Sequence, residues 1–210
     1  MFTFPLSAEK HTWNGQGAVV TTISYHHNGT LGACFGICCA WIANAAVPDC
    51  LPTLCGATEI ALIDRVQTVM IDSLESGLGH AMDVAALQAD LATPDPLRTY
   101  PEGTASHVIL DLLSSRDVAD YIIAFYYTKD DGANVEGHAI AVSFDGADRG
   151  TLLDPNYGTG RYTSRTSLCN DLHTLLRTYV SPEGYLTESN LMKVKSSSLF
   201  DEFQSAVASA

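Results

Sequence analysis

Residues 136–158 read EGHAIAVSFDGADRGTLLDPNYG, and the fold turns on how this stretch pairs with itself. HAIAVSF (138–144) and TLLD (151–154) are runs of β-branched, aromatic and aliphatic residues, and Asp145-Gly146-Ala147 between them is a natural turn. Two such runs joined by a glycine-containing turn form an antiparallel hairpin. A turn centred on Gly146 sets His138 directly opposite Asp154. Directly opposed side chains project to the same face, with Cβ atoms about 5 Å apart. Pro155 cannot donate to a sheet ladder, so the second strand should stop at Asp154. Its carboxylate then lies at the open end of the hairpin, beyond an interior of Ile140, Val142 and Leu152. A carboxylate fixes the tautomer of an imidazole and stabilises its protonated form, as a general base requires.

A base needs a group to act on, and the stretch LGACFGICCAWIANAA (31–46) supplies it. From Cys34 to Ala46 the chain is apolar and free of proline, and Val47-Pro48 follows. The pattern predicts a buried helix that opens at Cys34 and stops before Pro48. A cysteine in a first turn meets unpaired N–H groups and the positive end of the helix dipole, both of which favour a thiolate. Cys38 and Cys39 lie one turn deeper and Trp41 two turns along, so they should pack as core hydrophobes. Cys34 is the reactive one of the three.

The remaining elements follow from periodicity. GATEIALIDRVQTVMIDSLESG carries apolar residues at helical spacing and is closed by Gly77. MDVAALQADL is a shorter helix ended by Pro94 and Pro96, and ASHVILDLLSS is another. YIIAFYYT (121–128) joins the two hairpin runs as a third antiparallel strand. SLCNDLHTLLRTYV returns to helical spacing, and LMKVKS reads as a last strand. Helices followed by a small sheet and a further helix give an α+β fold.

Composition sets the limits. The chain has 210 residues, 46% hydrophobic and 17% charged, as expected of one globular domain spanning 1–210. The first 25 or so residues and the C-terminal FQSAVASA are expected to be loosely held. A net charge of −13 from 11 basic and 24 acidic residues argues against a nucleic-acid partner, because phosphate binding needs a basic surface. The longest apolar run is too short to span a bilayer, so no stable membrane insertion is expected. MFTFPLSAEKHTW lacks a basic start followed by an apolar run and is not a Sec-type signal. Six cysteines without such a signal point to reduced thiols. CLPTLC, with Cys50 and Cys55, has tolerable zinc-ligand spacing, and His26 and His27 lie upstream. No second pair completes a four-ligand set, so neither a metal nor another cofactor is expected.

GACFGICCAWI, GHAIAV and LLDPNYG together resemble the YopT/AvrPphB family of cysteine proteases. That resemblance spans roughly residues 28–179, and only the three motifs are specific. It implies a papain-like core with a Cys–His–Asp triad in that chain order. Residue by residue, Cys34 matches the nucleophile, His138 the base and Asp154 its orienter. Papain-like enzymes complete an oxyanion hole with a side-chain amide a few residues before the nucleophile. The nearest here is Asn28, which serves equally well as an Asn-Gly turn residue. The resemblance further implies a bacterial effector, delivered by a secretion system into the host cell cytoplasm and acting on a host protein substrate; a monomer is expected.

Taken singly, each feature has a plainer reading: a packing cysteine, a surface histidine, a turn. Three of them in triad order favour the expectation of a thiol protease. A glutamine deamidase on the same scaffold would use the same groups, and a catalytically inert binding module would need one of them missing. His80, His107 and His173 have no carboxylate partner at interpretable spacing and are expected to be structural.

Overall fold

The computed structural model describes residues 9–11, 32–44, 54, 56–101, 105–128, 135–146, 148–180 and 186–196. Their order is β1 (Glu9–His11), α1 (Cys34–Ala43), α2 (Ala57–Glu75), α3 (Ala81–Leu87), β2 (Leu91–Ala92), β3 (Arg98–Pro101), α4 (Ala105–Ser114), β4 (Ala119–Thr128), β5 (Val135–Phe144), β6 (Gly150–Asp154), β7 (Gly158–Tyr162), α5 (Arg165–Tyr179) and β8 (Leu186–Ser196). The strands form one antiparallel sheet in the order β1-β7-β6-β5-β4-β8-β2, with β3 also paired to β8. No described helix is long and apolar enough to cross a membrane.

Helices cover both faces of the sheet. On one face Ile122, Ala124, Ala139, Ala141 and Leu153 pack with α1, α2 and α3. On the other, Ile123, Phe125, Ile140, Val142 and Leu152 pack with α4 and α5. Two covered faces explain why YIIAFYY and HAIAV read as continuous apolar runs rather than as an alternation. Small residues at Ala124, Ala139 and Ala141 leave room for α1, which is buried all round from Cys34 to Ile42. Trp41 is wholly buried in that core, as expected.

α1 and α2 approach through Gly36. A Cβ there would lie 2.5 Å from the Ile63 carbonyl oxygen, so only glycine fits. The expected run of α1 to Ala46 is too long. The helix ends at Ala43, where the Asn44 backbone N–H and side-chain Nδ2 both donate to the Ala40 carbonyl, at 3.1 and 2.8 Å. Gly77 does close α2: its φ is +70°, and Leu78 N–H donates to Ser73 O at 3.0 Å, a Schellman ending.

The hairpin needs a larger correction. Phe144 pairs with Gly150 and Ala141 with Leu153, so the connection is a loop over 145–149 rather than a tight turn on Gly146. Two contacts impose this register. Gly150 faces Phe144 so closely that a Cβ would come within 2.7 Å of that ring, so no other residue fits opposite it. The buried Arg165 holds both sides of the connection, its guanidinium 3.6 Å from the Phe144 ring centroid and donating to Gly146 O at 3.3 Å. His138 is therefore not directly opposite Asp154. The shift moves the pairing by two positions, which preserves the face, so the two residues become diagonal neighbours on the side that α5 covers.

Candidate active site

β5 pairs with β4 along its whole length but with β6 only from Ala141 to Phe144. Its first half therefore projects past the end of β6, and His138 stands at that step. β6 ends at Asp154 because the chain turns there. Tyr157 N–H returns to Asp154 O at 3.0 Å, and Asn156 N–H donates to Asp154 Oδ1 at 2.7 Å. DPNYG is thus a turn and part of the site at once, since the carboxylate that caps it also faces the imidazole.

Asp154 Oδ1 lies 3.2 Å from His138 Nε2. Asp154 is fully buried and His138 is 5% exposed, so the pair is screened little by solvent. The Cys34 thiol is near enough to the same imidazole to contribute to its protonation. Asp154 holds Nε2, which leaves Nδ1 for the sulfur. The structure thus brings Cys34, His138 and Asp154 together in that order. Burial works against an imidazolium here, but the Asp154 charge and hydrogen bond, with Cys34, outweigh it and raise His138 to about 10.

The other thiols have different surroundings. Burial pushes Cys38 well above the ordinary thiol range, with the neighbouring charges of Cys34, Cys39 and Asp154 adding to it. Burial alone raises Cys39, and it raises Cys169 to about 11 despite Arg165. Neither Cys38 nor Cys39 has any exposed surface, whereas Cys34 lines a cleft of about 960 Å³. The α1–α2 side of that cleft presents Gln67, Met70, Ile71 and Leu74, and the β4–β5 side presents Tyr126, Val135, Glu136 and Gly137.

Among the described residues the first turn of α1 has no side-chain cap. Its N-cap is Ala33, which offers no side-chain acceptor. The Gly36 N–H is taken by Gln67 Oε1 at 3.1 Å. Among the described residues the Cys34 N–H has no acceptor, so it is available to a developing oxyanion. Asn28, the expected second donor, lies outside the described residues, as do His26, His27, Cys50 and Cys55. Contrary to expectation, His80 does have a carboxylate partner, Asp83 three residues on at 3.4 Å, but the pair lies outside the cleft.

Sequence reasoning passed over Tyr179. It is the last residue of α5, and its hydroxyl reaches Asp154 Oδ2 at 2.7 Å and His138 Nε2 at 2.9 Å. A signal for it exists. Leu168, Leu172, Leu175 and Leu176 form the buried stripe of α5, and Tyr179 continues that spacing. The stripe predicts burial at position 179, while the partner in space could not be read from it.

The fold is similar to the crystal structure of the Pseudomonas avirulence protein AvrPphB, with a TM-score of 0.60 at 17% identity, over 84% of this chain and 99% of that one. The likeness is one of fold, and it is the papain-like α+β architecture that the motifs implied. No family model matches the chain, and no curated protein matches it significantly.

Proposed function

We propose that the protein is a cysteine protease in which Cys34 attacks, His138 moves the proton and Asp154 holds the imidazole. The observation that supports this is the unbroken chain from thiol to imidazole to buried carboxylate, placed on the wall of a cleft large enough for a few residues of extended peptide.

Attack comes from the Cys34 thiolate, which stands beside a His138 imidazolium whose charge Asp154 balances. Sulfur bonds to the substrate carbonyl carbon, and the π electrons move onto oxygen. The Cys34 N–H in the first turn of α1 donates to that oxyanion. When the tetrahedral species collapses, the C–N bond breaks and the amine leaves with the imidazolium proton. His138 next deprotonates a water, which attacks the thioester. The acid departs and the thiolate returns.

The same proposal takes the protein to be a bacterial effector that acts on a host protein after delivery into the host cytoplasm. Its support is the fold likeness to an avirulence protein, together with the three motifs. The test is mass spectrometry of host-cell extract incubated with wild type or with Cys34→Ala. New peptide termini that need Cys34 support the protease. A gain of about one mass unit at glutamine, again needing Cys34, would make the protein a deamidase instead. No Cys34-dependent change would mean an inert pocket.

A further inference from the structure

We propose that Tyr179 is a positioning residue for the His138–Asp154 pair, a fourth member of the site that fixes both the tautomer and the plane of the imidazole. The inference rests on the protease reading for its purpose, but not for its test. Tyr179 touches the pair in two independent ways. Its hydroxyl donates to Asp154 Oδ2 at 2.7 Å and accepts from Asn156 Nδ2 at 3.0 Å. Its ring stacks on the imidazole, with centroids 4.6 Å apart and planes inclined by 28°.

The hydrogen-bond inventory then places the phenol hydrogen. A phenol has a single hydrogen, and the ionised carboxylate is a stronger acceptor than a neutral imidazole nitrogen. Tyr179 therefore gives its hydrogen to Oδ2, although Nε2 is 2.9 Å away. Oδ1 remains for Asn156 N–H and for His138 Nε2–H. With both carboxylate oxygens assigned, the carboxylate plane is fixed. Nε2 must carry a proton whether the ring is neutral or charged, and Nδ1 is the nitrogen that exchanges its proton toward Cys34. Burial, with the adjacent Asp154 charge, holds the phenol proton far more tightly than usual, so the hydroxyl serves as a fixed donor and not as an acid or base.

The ring supplies the second restraint. An imidazole held only at Nε2 can swing about that bond, which would carry Nδ1 away from the sulfur. Tyr179 covers one face of it, while Phe125 meets it edge-on at 5.6 Å and also braces Tyr179 at 5.3 Å. Tyr127 and Tyr157 pack against Tyr179 in turn, at 5.6 and 6.2 Å. Tyr179 is thus a lid over the pair, clamped by three other aromatic rings.

The test uses thiol chemistry and needs no substrate. The rate at which iodoacetamide modifies Cys34 is measured across pH 5–8 in wild type, Tyr179→Phe, Tyr179→Leu and His138→Ala, with thermal melts confirming that each is folded. Tyr179→Phe keeps the stack and loses the hydroxyl, and about a tenfold loss in rate at pH 6 is expected, the value of one hydrogen bond to a charged group. Tyr179→Leu loses both restraints and should approach the His138→Ala rate. A purely structural role would lower the melting temperature and leave the rate of the folded protein unchanged. Phe and Leu variants that both react at the wild-type rate, while His138→Ala is slow, would overturn the inference. Should wild type cut no peptide at all, the protease reading fails while these rates still decide the role of Tyr179.

Discussion

Replacing Asp154 with asparagine keeps its shape and tests how the buried pair works. Asn has one acceptor oxygen where Asp has two. Asn156 N–H, 2.7 Å from Oδ1, requires an acceptor at that position, so the amide oxygen should settle there. The NH2 group then replaces Oδ2 and points at the Tyr179 hydroxyl, which can no longer donate to it. The phenol hydrogen turns instead to His138 Nε2, 2.9 Å away. The imidazole proton shifts to Nδ1, and a ring protonated there cannot take the proton of Cys34. The imidazolium also loses its counter-charge. At 3.2 Å and an effective dielectric of about 20, a unit charge pair is worth about 5 kcal/mol. That corresponds to a loss of roughly 10³–10⁴-fold in rate. The assay is Cys34 alkylation and peptide cleavage on folded protein, with an NMR titration of His138, whose pKa should fall from about 10 because burial then dominates. An Asp154→Asn protein that folds normally and keeps more than a tenth of the wild-type rate would refute this reasoning.

Other perturbations probe the scaffold. Gly36→Ala should gain about 1 kcal/mol of helix propensity but place a Cβ 2.5 Å from the Ile63 carbonyl, for a net loss of about 1–3 kcal/mol by urea titration; unchanged or higher stability would contradict the close α1–α2 contact. Cys38→Ser should cost about 1–3 kcal/mol as a buried hydroxyl, and Trp41→Ala about 3–5 kcal/mol through a cavity. Cleavage per folded molecule should stay near normal in Cys38→Ser, and a dead enzyme would move the chemistry one turn along α1. His138 is raised to about 10 against an ordinary value of about 6.5, so its protonated form stabilises the fold fully below about pH 6.5. That contribution is lost as pH rises through about 10. Wild type should therefore lose more melting temperature between pH 6.5 and 10 than His138→Gln does, and equal losses would count against the buried ion pair.

Legibility in the sequence tracked the range of the interaction. The start of α1 at Cys34 and the end of α2 at Gly77 depend on neighbours along the chain, and both were readable. The end of α1 was misjudged because Asn44 caps it before the proline can act. The hairpin was recognised, but its register was not. Gly146 is the obvious turn residue, while the register is imposed by Gly150 against Phe144 and by Arg165, 19 residues from Gly146. The face survived the error because a shift by two positions preserves parity. β7, with the sequence GTGRY, looks like a loop and becomes a strand only because β6 and β1 pair with it. Tyr179 lies 25 residues from Asp154 and 41 from His138, and no local pattern joins them. Cys34 and Asp154 were identifiable because they sit at the ends of α1 and β6, where a short motif marks the break, while His138 lies inside β5 at the point where β6 no longer pairs with it.

The assignment of Cys34 as a thiol activated by His138 is tested most directly by peptide mapping after brief iodoacetamide treatment at mildly acidic pH, in wild type and in His138→Ala. Cys34 should be labelled ahead of the other five cysteines in wild type, and that lead should vanish in the variant. Labelling of another cysteine first, or the same lead for Cys34 with and without the imidazole, would contradict it.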